Sequence, residues 1–297
     1  MIIHSKRRRA LLAYLLFLPF AILLIIFKLI PFANSVRMVF YKWDILGTPQ
    51  FIGLANFRRM FSDKVFVSSL WHTFYFVILT VPPIMVLSFL IAVLANSKIY
   101  TQAKSFIRSA FYLPYTLTIS VVCLTWTLLY NPYFGLISKA TKSLGLKTIN
   151  WLVDPIWAMP AVAITTVWWT MGFCVILYIA GLQQIPVSYY EAAELDGATD
   201  FKKMVFITIP LLKRVHVLVI VTQIIASLQI FGQVYIMTAG GPAGRTRTIM
   251  QYIYEQGFRY FRMGYAQSMA FILFLIMLIF SYLQLRLMTS SSKEELI

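Results

Sequence analysis

Between residues 10 and 32 the only charged side chain is Lys28, and five more apolar runs of similar length follow, at residues 71–95, 109–129, 157–182, 215–237 and 263–285. None of the six has an Asp, Glu, Lys or Arg in its middle third. An α-helix needs about 20 apolar residues to cross the hydrocarbon core of a bilayer. With no water there to satisfy backbone N–H and C=O groups, segments of this length must be helical. The pattern predicts an all-α polytopic membrane protein with six transmembrane helices. Composition agrees, with 60% hydrophobic and only 12% charged residues, against about 25% charged in a soluble domain. A water-soluble enzyme is excluded.

Residues 1–9 end in Lys6, Arg7, Arg8 and Arg9. The apolar run behind them is too long for a secretory signal and has no small-residue cleavage site, so it reads as an uncleaved first span. Lys and Arg divide evenly between the two sides, so orientation rests on this cluster and on the short 96–108 loop, with Lys98, Lys104 and Arg108. Both place the N-terminus, and with six spans the C-terminus, in the cytoplasm. The net charge of +16 points to anionic lipid headgroups, not nucleic acid, as the partner of the basic residues. Pro82 and Pro83 predict a kink in the second span.

Cys123 and Cys174 fall inside spans and read as small buried hydrophobes. His4, His72 and His216 are scattered, and no H-E-x-x-H or P-loop sequence occurs, so no metal, cofactor or nucleotide site is expected. The expected organisation is a cytoplasmic N-terminus at 1–9, a six-helix membrane domain at 10–288 with a cytoplasmic loop at 186–214, and a cytoplasmic tail at 289–297.

The loop is the least membrane-like stretch. Four of the chain's ten acidic residues, Glu191, Glu194, Asp196 and Asp200, stand in ten consecutive positions. Pro186 interrupts the preceding span. Ser188 and Glu191 have the spacing of a capping box, Gly197 fits a left-handed helix stop, and a second short helix starts at Thr199 or Asp200 and runs towards Pro210. Ala192, Ala193 and Ala198 are small enough for another protein to approach. Spacing alone leaves a solvated linker and a docking element both open.

Residues 191–210 resemble the EAA loop of binding-protein-dependent ABC importers, at Glu191, Ala192, Ala193, Asp196, Gly197, Ala198, Ile207, Thr208 and Pro210. Gly53, Leu54, Asn56 and Phe57 resemble the family's G-L-x-N-F segment. Thr238, Gly240, Gly241 and Pro242 are similar to a T-x-G-G-P element of its sugar-specific members, and the likeness extends to Gly264–Ala266. The chain is identified as resembling the shorter permease subunits of maltose-transporter type. That resemblance implies a type I ABC importer permease, with Glu191, Ala192, Ala193, Asp196, Gly197 and Ala198 coupling to an ATPase. It implies a second, different permease subunit, an ATP-hydrolysing dimer, an extracytoplasmic solute-binding protein and a sugar or polyol as partners. The location would be a bacterial or archaeal cell membrane.

Two polar stripes lie at mid-depth. Thr166, Trp169, Thr170 and Phe173 share one helical face, and Gln223, Ser227 and Ile230 form a second stripe on the fifth span. They serve either helix packing or a solute path, with amides and hydroxyls for sugar hydroxyls and Trp169 as a stacking platform. The resemblance favours the path. A rival function, an ion- or proton-coupled secondary carrier, calls for ionisable groups at mid-span, which the runs lack. A polytopic enzyme would need a catalytic constellation that the sequence does not contain.

Overall fold

The structure, a computed structural model, describes residues 3–44, 47–96, 101–145 and 149–294, with the side chains of 3–9, 101–105 and 289–294 set aside. The basic side chains of residues 6–9, Lys98, Lys104, Lys147 and the final residues of the tail therefore lie outside the described residues.

The first run forms α1 (Ile3–Leu24), a π turn (Ile25–Leu29) and α2 (Ile30–Met38). An antiparallel pair follows, β1 (Tyr41–Lys42) against β2 (Gln50–Phe51), and then α3 (Ala55–Ser62). The helix α4 (Lys64–Asn96) stays α-helical at every residue through Pro82 and Pro83, so the prolines do not interrupt it. Two adjacent prolines remove only two donors, while the flanking turns pack against neighbouring helices.

Two spans expected to be continuous are broken. The third consists of α5 (Thr101–Tyr112), a 3-10 turn (Leu113–Thr116) and α6 (Ile119–Leu129), and its halves Phe106–Thr116 and Ile119–Leu129 bend by 100°. Leu117 and Thr118 are extended there, with ψ of 147° at both. Then come α7 (Leu136–Ser143), α8 (Ala158–Leu182), α9 (Val187–Leu195), α10 (Asp200–Lys203), a π turn (Met204–Thr208) and α11 (Ile209–Leu211). The fifth span, expected over 215–237, is α12 (Lys213–Leu228). It stops at Leu228, leaves helical geometry over residues 229–231 and resumes as α13 (Gly232–Met237). Hydropathy averaged over a span cannot register either break, because the flanking side chains stay largely apolar while the backbone turns. The chain ends with α14 (Ile249–Tyr254), a π turn (Glu255–Arg259) and α15 (Met263–Glu294).

Four helices are long and apolar enough to cross a membrane, Ala10–Met38, Lys64–Asn96, Ala158–Leu182 and Met263–Met288, and two bent pairs raise this to six if each is one crossing. The chain divides into two compact units, one of Met1–Asp63 with Ile253–Ile272, the other of Lys64–Tyr252 with Leu273–Ile297.

In the first unit Asn56, at the start of α3, is buried. Its Nδ2 donates to the carbonyls of Val39 (2.9 Å) and Tyr41 (3.0 Å), which helix and strand leave unpaired at the turn between them. Ser268 donates to the same Val39 carbonyl at 3.2 Å. Gly264 packs so closely on β1 that a Cβ would occupy the place of the Tyr41 carbonyl. Tyr265 donates its hydroxyl to Asp63 at 2.7 Å.

The second unit is built on α4, α8 and α12. Ile84, Phe89 and Ala92 of α4 pack with Cys174, Tyr178 and Leu182 of α8 and with Val219 of α12. A second cluster joins Phe76, Cys123, Tyr130, Met159, Val162, Ile230 and Val234.

Candidate functional site

The loop after α8 folds as a closed pair of short helices. α9 has Pro186 as its N-cap, with φ −60° and ψ 134°, and no side-chain capping bond. The capping box expected from Ser188 and Glu191 does not form. The fixed φ of Pro186 starts the helix two residues early, so Ser188 falls inside the first turn. The stop at Gly197 does form. Its φ is +74°, a value that costs glycine little and other residues more. Gly197 N–H donates to the Glu194 carbonyl (3.0 Å) and Ala198 N–H to the Ala193 carbonyl (2.8 Å). This paired closure of the last turn is a Schellman motif. The E-A-A and D-G-A triplets are thus the two ends of one hydrogen-bonded stop.

Thr199 caps α10, its Oγ1 accepting from Lys202 N–H at 3.4 Å. Lys203 bridges the two helices, with Nζ 2.7 Å from Glu194 and 2.8 Å from Asp200. The Tyr190 hydroxyl of α9 lies 3.0 Å from that of buried Thr208, in the π turn. Beyond Leu212 the chain turns by 67° from Asp200–Leu211 into α12. Glu191, Ala192, Asp196 and Gly197 are exposed, and Ala193 and Ala198 are half-buried. Among the described residues Glu191 has no side-chain partner. Val187 and Leu195, one turn to either side of it on α9, are exposed, Leu195 by 91%, as are Phe201 and Phe206 further along the loop. An acidic, apolar-rimmed face held rigid from behind is the surface this loop offers.

The first polar stripe sits where α8 passes the break between α5 and α6. Trp169 Nε1 donates to the Leu117 carbonyl at 3.2 Å, satisfying an acceptor that the broken helix sets free. Tyr115 stacks on Phe173 with ring centroids 5.3 Å apart and lies 6.5 Å from Trp169. Thr166 and Thr170 donate to carbonyls of their own helix, Val162 (2.9 Å) and Thr166 (2.8 Å). Trp169, Thr170 and Phe173 are half-buried, and together with Tyr115 they form an aromatic ledge. Tyr115 escapes a reading by helical face because it stands on the 3-10 turn, not on a span. Pro114 beside it was the available signal.

The second stripe is spent on packing. Buried Gln223 donates to Cys174 Sγ at 3.2 Å, and the Ser227 hydroxyl lies 3.0 Å from that of Thr80 on α4. Ile230 is buried in the second cluster, and its carbonyl accepts from Thr248 at 3.0 Å. The two stripes, expected at one level facing one cavity, thus differ in kind, one on an aromatic ledge and the other bonded into the α4–α8–α12 interior. Among the described residues no three His, Cys, Asp or Glu side chains gather as a metal site.

Residues 52–290 match the model of the family described as "Binding-protein-dependent transport system inner membrane component". The sulfoquinovosyl glycerol transport system permease protein of Agrobacterium fabrum is 33% identical over 279 residues, covering 93% of this chain and 90% of that one. The trehalose/maltose transport system permease protein of Thermococcus litoralis is 32% identical over 288 residues, 95% of each chain. A crystal structure of a bacterial alginate ABC transporter, in complex with an alginate pentasaccharide-bound periplasmic protein, superposes with a TM-score of 0.81 at 22% identity, covering 94% of both chains.

Proposed function

We propose, for a chain that belongs to the family of binding-protein-dependent transport system inner membrane components, that it is the membrane-spanning permease subunit of a type I ABC importer for a sugar or related polyol. The observation that carries this reading is the closed α9–α10 pair, which presents an unpartnered Glu191 on a rigid, apolar-rimmed face. Relatives named for sulfoquinovosyl glycerol and for trehalose and maltose support the substrate class. The chain is a non-enzymatic membrane subunit, and ATP hydrolysis resides on a separate one.

In this mechanism α9 and α10 seat on the ATPase. Closure of an ATPase dimer pushes the pair, and the turn at Leu212 passes the movement into α12, which packs on α4 and α8. Glu191 meets a basic group of the ATPase, while Ala192, Ala193 and Ala198 allow close approach. Asp196 and Gly197 shape the stop that holds this face in place. An extracytoplasmic binding protein delivers the solute, and a second, different permease subunit completes the pore. The chain is multi-pass in a bacterial or archaeal cell membrane, with both termini in the cytoplasm.

For the solute, Tyr115, Trp169 and Phe173 supply aromatic faces for the apolar side of a sugar ring. Thr166 and Thr170 keep acceptor capacity after donating to their own helix. Gln223, Ser227 and Ile230 stand behind this ledge as its packing support.

The test is uptake of radiolabelled trehalose or maltose into proteoliposomes holding the assembled complex. Uptake that requires ATP on the coupling side and the cognate binding protein on the other is the expected result. Uptake that continues without ATP and collapses with the proton gradient overturns it.

A further inference from the structure

Within the first unit, β1, α3 and the start of α15 enclose a cleft of about 560 Å³, within the range of ligand sites, roughly 300–1,000 Å³. Lys42, Arg59 and Arg262 line it against a single carboxylate, Asp44. All three cations are exposed, and among the described residues none forms an ion pair. Arg59 lies over the Tyr265 ring at 4.6 Å, and the Tyr265 hydroxyl is held by Asp63. An aromatic face orients a guanidinium without neutralising it. The cleft therefore keeps a net positive charge, with three cations set against Asp44 alone.

Its position limits what that anion is. The apolar segment Ala10–Met38 ends four residues before Lys42, and Met263–Met288 begins directly after Arg262. The cations thus stand where two membrane-crossing segments meet water. Next to Arg262, Phe261 is exposed by 54%, as aromatic side chains are at the membrane–water interface. The most apolar stretch of Ala10–Met38 has none of its residues buried, so uncovered apolar surface runs below the cleft, with its exposed apolar side chains reaching to Ala33.

We infer that this cleft binds the phosphate of an anionic phospholipid of the phosphatidylglycerol type, with its acyl chains along the apolar segment below. A free phosphate satisfies the cations but leaves that apolar surface unused. An acidic loop of a soluble protein satisfies the cations but leaves Phe261 and the apolar segment below uncovered.

The experiment uses the assembled complex containing this chain, delipidated in detergent and titrated with phosphatidylglycerol or phosphatidylcholine, with bound lipid counted by native mass spectrometry. Glycerol 3-phosphate is the soluble competitor. The wild type is expected to retain phosphatidylglycerol over phosphatidylcholine and to resist the soluble phosphate. Arg59→Gln with Arg262→Gln is expected to weaken retention by on the order of tenfold or more, as loss of two basic groups near an anionic lipid surface does. Arg59→Lys with Arg262→Lys keeps most of it, and Asp44→Asn strengthens it. Unchanged retention in the Gln variant overturns the site, as does displacement by glycerol 3-phosphate at equal concentration, which marks a free-anion site. Unchanged lipid retention with lost binding-protein association assigns the cleft to a protein partner and also overturns it. Should the Gln variant fail to assemble, weaker or equal retention in Asp44→Asn rejects the proposal by itself.

Discussion

Asn56 and Gly264, far apart in the chain, converge on one atom, the carbonyl oxygen of Tyr41. Asn56 donates to it at 3.0 Å, and Gly264 has no Cβ because that oxygen stands in its place. Two residues picked out by family likeness are thus two sides of one joint. Asn56→Ala leaves the Tyr41 carbonyl without this donor and the buried Val39 carbonyl with Ser268 alone, at about 1–3 kcal/mol. Gly264→Val drives a side chain into the strand and is expected to be worse. Thermal unfolding of the purified complex checks both, and a midpoint unchanged in both variants rejects the joint.

Such partners are hard to read in a sequence. The six apolar runs were legible because hydrophobic length is a property of consecutive residues. Gly197 was legible because few residues tolerate its φ. The role of Asn56 was not, since its acceptors are backbone atoms that any residue could supply. The capping box at Ser188 was misread because Pro186 sets the helix start through its ring, a stronger constraint than a side-chain hydrogen bond. At Leu117 and at residues 229–231 a hydropathy average ran straight through two backbone breaks. Of the Gln223 stripe, Gln223 and Ser227 lie on α12 but Ile230 falls in the break after it, and the partner of Gln223, Cys174, lies on another helix, beyond the reach of periodicity.

Glu191 has no partner within the chain among the described residues, so its charge is free for another subunit. Glu191→Gln is expected to leave assembly and thermal midpoint unchanged and to lower both solute-stimulated ATP hydrolysis and uptake. Gly197→Val meets no steric obstacle in space but must adopt a positive φ, at a cost of order 1–3 kcal/mol. It loosens the Schellman closure and is expected to impair coupling more than Glu191→Gln does. ATPase assays on matched amounts of complex decide, and full coupling in both variants reduces the loop to a linker.

The Tyr190–Thr208 contact ties α9 to the π turn that leads into α11 and α12. Tyr190→Phe removes one half-buried hydrogen bond, worth about 0.5–1.5 kcal/mol, and keeps the ring. The expected outcome is an assembled complex whose ATP hydrolysis continues while solute uptake per ATP falls. The ratio of uptake to hydrolysis in proteoliposomes measures this, and an unchanged ratio means that motion passes through Lys203 and the backbone alone.

Trp169 and Gln223 have different partners, so their substitutions are expected to fail differently. Trp169 belongs to a half-buried aromatic ledge. Trp169→Phe keeps a ring for stacking but loses the bond to the Leu117 carbonyl, and Trp169→Ala loses both. If the ledge holds sugar, Trp169→Phe retains much of the uptake and Trp169→Ala loses it, while basal ATP hydrolysis survives in each. Gln223 is enclosed, and its amide is spent on Cys174. Gln223→Ala leaves a cavity and is expected to lower the thermal midpoint of the complex, with uptake per assembled complex near that of the wild type. Gln223→Met, close in volume and able to fill the same space, is expected to recover most of the lost stability. Uptake and thermal midpoint measured together on the four variants separate the two roles. Normal stability with abolished uptake in both Gln223 variants would move the solute path from the aromatic ledge to the α12 face.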